Sequence, residues 1–188
     1  MKLKNYDLNA IIEELQDMMP GIVPEGIEVK IKLYDSQLKI MTDPLKLKAA
    51  FLNLIENAVE ALSPGGLLRV STGRIRFANN AECSGEYSTG GCALVTIADT
   101  GKGMPDTIKE RMFEPFFSTK QGSDKGLGCT LAQRIVECHN GRINVDSSPN
   151  SGTKVRVYLP LIQGDSMNEV IPLPSSFGGK AIGYSRRM

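Results

Sequence analysis

Apolar and polar residues change rhythm several times along this chain, and each change marks an element. Residues 8–15, Leu-Asn-Ala-Ile-Ile-Glu-Glu-Leu, carry an amphipathic helical pattern that should run up to Pro20. At Ile27, Val29, Ile31 and Leu33 the apolar residues alternate with Glu28, Lys30 and Lys32, which is strand periodicity. A short strand over residues 38–41 is expected to pair with it. Asp43-Pro44 starts a second helix, because Asp can cap and Pro suits the first helical position. That helix should end near Leu62, before Ser63-Pro64-Gly65-Gly66. Residues 67–77 and 92–98 read as strands, joined by a polar hairpin connection over 78–91. Residues 100–125 show little periodicity, as a functional lid or a disordered segment would. A helix over 127–138 follows, stopped by Asn140-Gly141, and Ile143/Val145 with Val155/Val157/Leu159 give two last strands. Past Pro160 the pattern fades. Residues 163–188, rich in Gly, Ser and Pro, predict a flexible tail, which leaves residues 1–162 as the domain proper. The order of elements predicts an α+β fold, a two-layer sandwich with a mixed sheet covered on one face by helices.

Composition narrows the picture. With 188 residues, 41% hydrophobic and 23% charged, the chain has the balance of a soluble domain with a sizeable core. Its 22 basic and 21 acidic residues leave a net charge of +1, so charge gives no ground for a nucleic-acid partner. Cys83, Cys92, Cys129 and Cys138 contain no C-x-x-C pair and have a single histidine beside them, so free thiols are expected rather than zinc. No signal pattern opens the chain, and no apolar run nears the roughly 20 residues needed to cross a bilayer. A cytoplasmic domain without membrane contact of its own is expected, whether or not a parent protein is anchored.

The helix over residues 47–62 is the most informative segment. At about 100° per residue, Leu47, Phe51, Leu54, Ile55, Ala58 and Leu62 share one face. Asn53, Asn57 and Glu60 line another, with Glu56 beside them. A solvated surface would explain the two glutamates. It explains two mid-helix asparagines one turn apart less well, since Asn is a poor helix former. Oxygen-bearing side chains so spaced suit Mg²⁺, which keeps waters and phosphates in its shell.

Two glycine motifs lie further on. Asp99-Thr100-Gly101-Lys102-Gly103 directly follows a strand, where an aspartate could accept a hydrogen bond from an exocyclic amine and the glycines could let backbone approach a flat ligand. An ordinary Asp-x-Gly turn reads the same way. Gly126-Leu127-Gly128 opens a helix whose free N–H groups could meet phosphate. Singly each is weak. Together with Phe113-Glu114-Pro115-Phe116-Phe117 and Gly152-Thr153, in this order and each in its structural context, they form a specific set.

This ordered set resembles the catalytic domain of sensor histidine kinases, within the Bergerat-fold ATPase superfamily that includes gyrase, the Hsp90 chaperones and mismatch-repair ATPases. The resemblance covers roughly residues 7–160. It implies ATP and Mg²⁺ as cofactors, with Asn57 ligating the metal and Asn53 supporting metal or phosphates. It implies Asp99 on the adenine amine, Thr153 near the same edge through water, and Gly101 and Gly103 lining the adenine pocket. Gly126, Leu127 and Gly128 would contact the phosphates, and Lys120 would reach the triphosphate from the lid. Phe113, Phe116 and Phe117 would anchor the lid and help it dock on the helical hairpin that bears the substrate histidine. Two positions depart from the family: Ala61 stands where some members place an aromatic near the nucleotide, and Cys129 where an aliphatic is usual.

By the same resemblance, gyrase-like hydrolases place a general-base Glu one turn before the metal-binding Asn. This chain has Asn53 there, which cannot take a proton from water, so phosphate transfer to a histidine is the expected reaction. The acceptor hairpin would be a separate partner and a response regulator the eventual target. The sole histidine, His139, reads as an exposed or dipole-favouring helix-end residue, not as the acceptor. A nucleotide-sensing module and an anti-sigma-type serine kinase share the same motifs and stand as alternatives.

Overall fold

The computed structural model describes residues 2–75, 91–118 and 126–162. In chain order these form β1 (Lys4–Asp7), α1 (Leu8–Met18), a 3-10 turn (Met19–Gly21), β2 (Glu28–Lys32), β3 (Lys39–Thr42), α2 (Pro44–Ala61), β4 (Leu67–Ile75), β5 (Cys92–Asp99), α3 (Asp106–Lys109), α4 (Gly128–Cys138), β6 (Arg142–Ser147) and β7 (Thr153–Pro160). The main sheet has the order β2-β4-β5-β7-β6. Its β2–β4 pair is parallel and the remaining pairs are antiparallel, so the sheet is mixed as expected.

Alternation along the strands decides which face is covered. Leu68 and Val70 of β4, Ala93, Val95 and Ile97 of β5, and Val155, Val157 and Leu159 of β7 are buried in one core with the apolar faces of α1, α2 and α4. The intervening positions carry Arg69, Thr96, Lys154 and Arg156. On α2 the buried face is Leu47, Ala50, Phe51, Leu54, Ile55, Ala58 and Val59, each worth up to about 1.5–3 kcal/mol for the larger side chains. The sequence pattern found Leu47, Phe51, Leu54, Ile55 and Ala58 of this face, missed Ala50 and Val59, and included Leu62, which lies past the helix in extended backbone.

Two expectations need correction. The strand at residues 38–41 does not pair with β2. It pairs antiparallel with β1 in a separate two-stranded sheet, Lys4 opposite Thr42 through Asp7 opposite Lys39. Strand β1 offers only Tyr6 as an apolar residue, so no alternation announces it, while Val29 and Ile31 of β2 are drawn to the sheet edge beside β4. Asp7 joins the two regions: its Oδ1 accepts from Asn9 N at the start of α1 and from Leu38 N, both at 3.0 Å.

His139 is the second correction, being neither exposed nor a charge for the helix dipole. It is 4% exposed, its Nε2 accepts from the Asp43 backbone N–H at 3.0 Å, and its Nδ1 donates to Ile135 O at 2.7 Å. A backbone N–H only donates and a carbonyl only accepts, so both ring nitrogens are assigned. The end of α4 thus holds the start of α2. His139→Leu should leave the Asp43 N–H without an acceptor and lower unfolding free energy by about 1–3 kcal/mol in urea titration.

Of the cysteines, Cys129 and Cys138 are thiols outside any disulfide, as expected. Cys92 is instead disulfide-bonded, which corrects the expectation of a free thiol there. The expected tail over 163–188 and the hairpin connection up to residue 90 lie outside the described residues. No helix among the described residues is long and apolar enough to cross a membrane.

Candidate functional site

The site begins with the polar stripe of α2. Asn53 Nδ2 donates to Ala49 O at 3.0 Å, and Asn57 Nδ2 donates to Asn53 O at 2.8 Å. These carbonyls can only accept, so the bonds settle which end of each amide is nitrogen and turn both Oδ1 atoms away from them. Such back-bonding gives a helix nothing, and Asn is worse than Ala mid-helix by several tenths of a kcal/mol. Two such residues one turn apart mark a helix that gives up stability to present oxygens.

Asp99 ends β5 and faces the same side. It is 9% exposed, and its Oδ1 accepts from Gly101 N at 2.8 Å and from Thr153 N at 3.2 Å. Burial pushes its carboxyl above the ordinary carboxylate range, and the two backbone N–H bonds pull it partly back. Both bonds fall on Oδ1, which leaves Oδ2 for a ligand.

The loop after Asp99 is built by backbone packing. Lys102 N donates to Ala61 O at 3.1 Å, Asn150 N to Lys102 O at 2.7 Å, and Met104 N to Ser147 Oγ at 2.9 Å. A Cβ on Gly101 would lie 2.3 Å from Ala61 O. One on Gly103, at φ +62°, would lie 2.0 Å from Ser148 O. The glycines therefore let the loop press against the end of α2 and the β6–β7 turn, where the sequence pattern pointed to room for a ligand. Ser147 also bonds Gly152 O and the Thr153 hydroxyl, both at 3.0 Å, tying Thr153 into this frame.

The other wall comes from the start of α4. Leu127, the residue before the helix, makes no side-chain cap bond. Gly128 sits against Asn53, whose Oδ1 would be 3.1 Å from a Cβ there, and Cys129 Sγ accepts from Asn57 Nδ2 at 3.2 Å. Gly126 presses on Phe117, with 2.5 Å between its would-be Cβ and Phe117 O, so the chain segments on either side of residues 119–125 meet at this point.

A cleft of about 480 Å³ lies between these parts, within the usual range for small-molecule sites. Asn53, Asn57, Asp99, Gly103, Gly126, Leu127, Gly128 and Thr153 all line it, as do Glu56 and Glu60 of the same α2 stripe. Gly101 stands behind the wall against Ala61. Lys120 lies outside the described residues. The phenylalanines part company: Phe117 lines the cleft with Arg111 over its ring at 4.2 Å, Phe113 is half-buried with its carbonyl taking a bond from Thr130 Oγ1, and Phe116 is 75% exposed.

The apolar wall escaped the sequence reading. Met104, Ile108 and Met112 line the cleft around α3. Their four-residue spacing is a helical signal present in the sequence, hidden inside a stretch read as patternless. Ser147 had no signal at all, since a serine at a strand end looks like any other.

Among known proteins the chain is 33% identical over 170 residues to the sensor histidine kinase ZraS of Klebsiella oxytoca, covering 90% of this chain and 34% of that protein. It is 30% identical over 160 residues to sporulation kinase C of Bacillus subtilis, covering 84% of this chain and 34% of that protein. The chain thus spans about a third of the length of these curated relatives. The solved structure of a mycobacterial sensor histidine kinase, MprB, superposes with a TM-score of 0.68 at 25% identity over 85% of this chain and 98% of that one. Every residue on the cleft wall falls within residues 42–163, the stretch that matches a family described as histidine kinase-, DNA gyrase B- and HSP90-like ATPases, and the chain belongs to that family.

Proposed function

We propose that this chain binds ATP with Mg²⁺ and serves as the catalytic domain of a two-component sensor histidine kinase. It would pass the γ-phosphate to a histidine on a separate dimerisation and phosphoacceptor hairpin, with a response regulator downstream. The observation that carries the reading is the pair Asn53 and Asn57 on the cleft wall, with an amide where a hydrolase needs a base.

Each part of the cleft has work to do in that reaction. Asp99 Oδ2 accepts from the adenine amine, and the Thr153 hydroxyl, held by Ser147, serves the same edge through water. Met104, Ile108 and Met112 supply the apolar surface a base needs. At the start of α4 the backbone N–H groups of Gly126, Leu127 and Gly128 would meet the phosphates, and the family resemblance adds Lys120 to them. Asn57 offers a hard, neutral oxygen whose amide cannot turn without breaking its bond to Asn53 O, which fits Mg²⁺ alongside phosphate and water oxygens. Bound there, the cation would neutralise charge on the transferring phosphoryl group. The imidazole attacks in line, so no covalent intermediate forms on this domain. The exposed ring of Phe116 supports docking of the acceptor hairpin beside the cleft.

Incubation of the chain with MgATP and a purified acceptor hairpin should give phosphate on the hairpin that acid removes and alkali does not. Acid-stable phosphate on a serine would favour an anti-sigma-type kinase. Nucleotide-dependent partner binding with no phosphate transferred would favour a sensing module.

A further inference from the structure

We propose that Cys129 is a positioning residue for Asn57 and, through it, sets the affinity of the cleft for its cation. The inference rests on the reading of Asn57 as the metal ligand. An amide nitrogen has two hydrogens, and Asn57 directs one to Asn53 O at 2.8 Å and the other to Cys129 Sγ at 3.2 Å. The first bond is internal to α2 and holds the amide only by one edge, about which the plane can still rock. The second reaches across to α4, and two non-collinear bonds fix the plane of the amide and hence the direction of Oδ1.

The contact is also a matter of place in the fold. Cys129 follows Gly128, whose lack of a side chain lets α4 come close enough to Asn53 for the sulfur to meet Asn57. Cys129 is a half-buried thiol on the cleft wall, outside any disulfide. The aliphatic residue of the family pattern would fill the same space and accept nothing. The thiol therefore does something its neighbours in the helix do not: it links the metal-binding amide of α2 to the phosphate-binding end of α4.

Binding of ATP to the chain, measured calorimetrically over a series of Mg²⁺ concentrations and again in EDTA, separates this role from mere packing. Cys129→Ala should raise the Mg²⁺ concentration needed for half-maximal enhancement of ATP binding about tenfold, while binding in EDTA stays within about twofold. Cys129→Ser, which keeps an acceptor, should restore most of the loss. If Ala at this half-buried position lowers thermal stability, Cys129→Val takes its place as the non-accepting variant. Equal losses with and without Mg²⁺, no loss at all, or no rescue by serine would each overturn the proposal. Asn57→Ala in the same assay tells the two readings apart. If that variant keeps its Mg²⁺ dependence, the assignment of Asn57 fails. If it loses the dependence while Cys129→Ala keeps it, only the role of Cys129 fails.

Discussion

Asn57→Ala is expected to slow phosphate transfer to an acceptor hairpin about a thousandfold, a rise of about 4 kcal/mol in the barrier. The size follows from what is removed. In the proposed reading the amide supplies the oxygen from α2 that ligates the cation, and the lost interaction grows as charge develops on the phosphoryl group. Alanine cannot be blamed for unfolding the helix. It is the better helix former by several tenths of a kcal/mol, and the residue it replaces is only half-buried. Urea melts should therefore show stability equal to or slightly above the parent while single-turnover transfer collapses. Transfer within a few-fold of the parent would sink the assignment of Asn57.

Asp99→Asn should weaken ATP binding about a hundredfold or more, close to 3 kcal/mol, without harming the fold. An asparagine Oδ1 can still take the N–H bonds of Gly101 and Thr153. Its NH₂ group then stands where Oδ2 stood and meets the adenine amine donor to donor. The pH dependence gives the prediction a second edge. Burial raises the Asp99 pKa, so the folded chain holds that proton more tightly than the unfolded one. Such a group adds stability at low pH, and the contribution is lost as pH rises through its folded-state value. The parent should thus lose stability relative to Asp99→Asn as pH climbs from the ordinary carboxylate value toward the raised one. Affinity runs the other way, because the amine needs the ionised carboxylate. ATP binding by the parent should begin to fall, on acidification, at a pH above the usual carboxylate range, and the residual binding of Asp99→Asn should not. A calorimetric pH series that shows the same profile for both chains would remove Asp99 from the adenine edge.

Asn57 was legible from sequence because an asparagine in mid-helix carries a cost that local structure does not explain and the proposed function would. Asp99, whose bond from Gly101 N is that of an ordinary Asp-x-Gly turn, was legible only through the ordered set of motifs around it. The glycine motifs were legible as positions but not as mechanisms. Gly101 and Gly103 answer to Ala61 and Ser148, contacts across 40 or more residues that no spacing shows. Strand β1 and its partner β3 went astray for a related reason: four residues with one apolar side chain carry no period, so pairing was assigned to the nearest visible strand. His139 was misjudged because a helix-end histidine is usually solvated, and only the packing of α4 on α2 brings the Asp43 N–H to it. The apolar wall from Met104 to Met112 was present as spacing, but the surrounding glycines and prolines obscured it.

The bonds between α2 and α4 occur at both ends of the pair. His139 at the close of α4 holds Asp43 at the opening of α2, and Gly128 and Cys129 at the opening of α4 meet Asn53 and Asn57 further along α2. Contacts at two separated points oppose sliding and pivoting of the two helices past one another. The amide proposed to bind the metal and the helix end proposed to meet the phosphates are therefore neighbours by virtue of the fold itself. The loss of freedom needed to assemble them falls on folding, and the binding energy of the ligand is left for orienting the ligand itself.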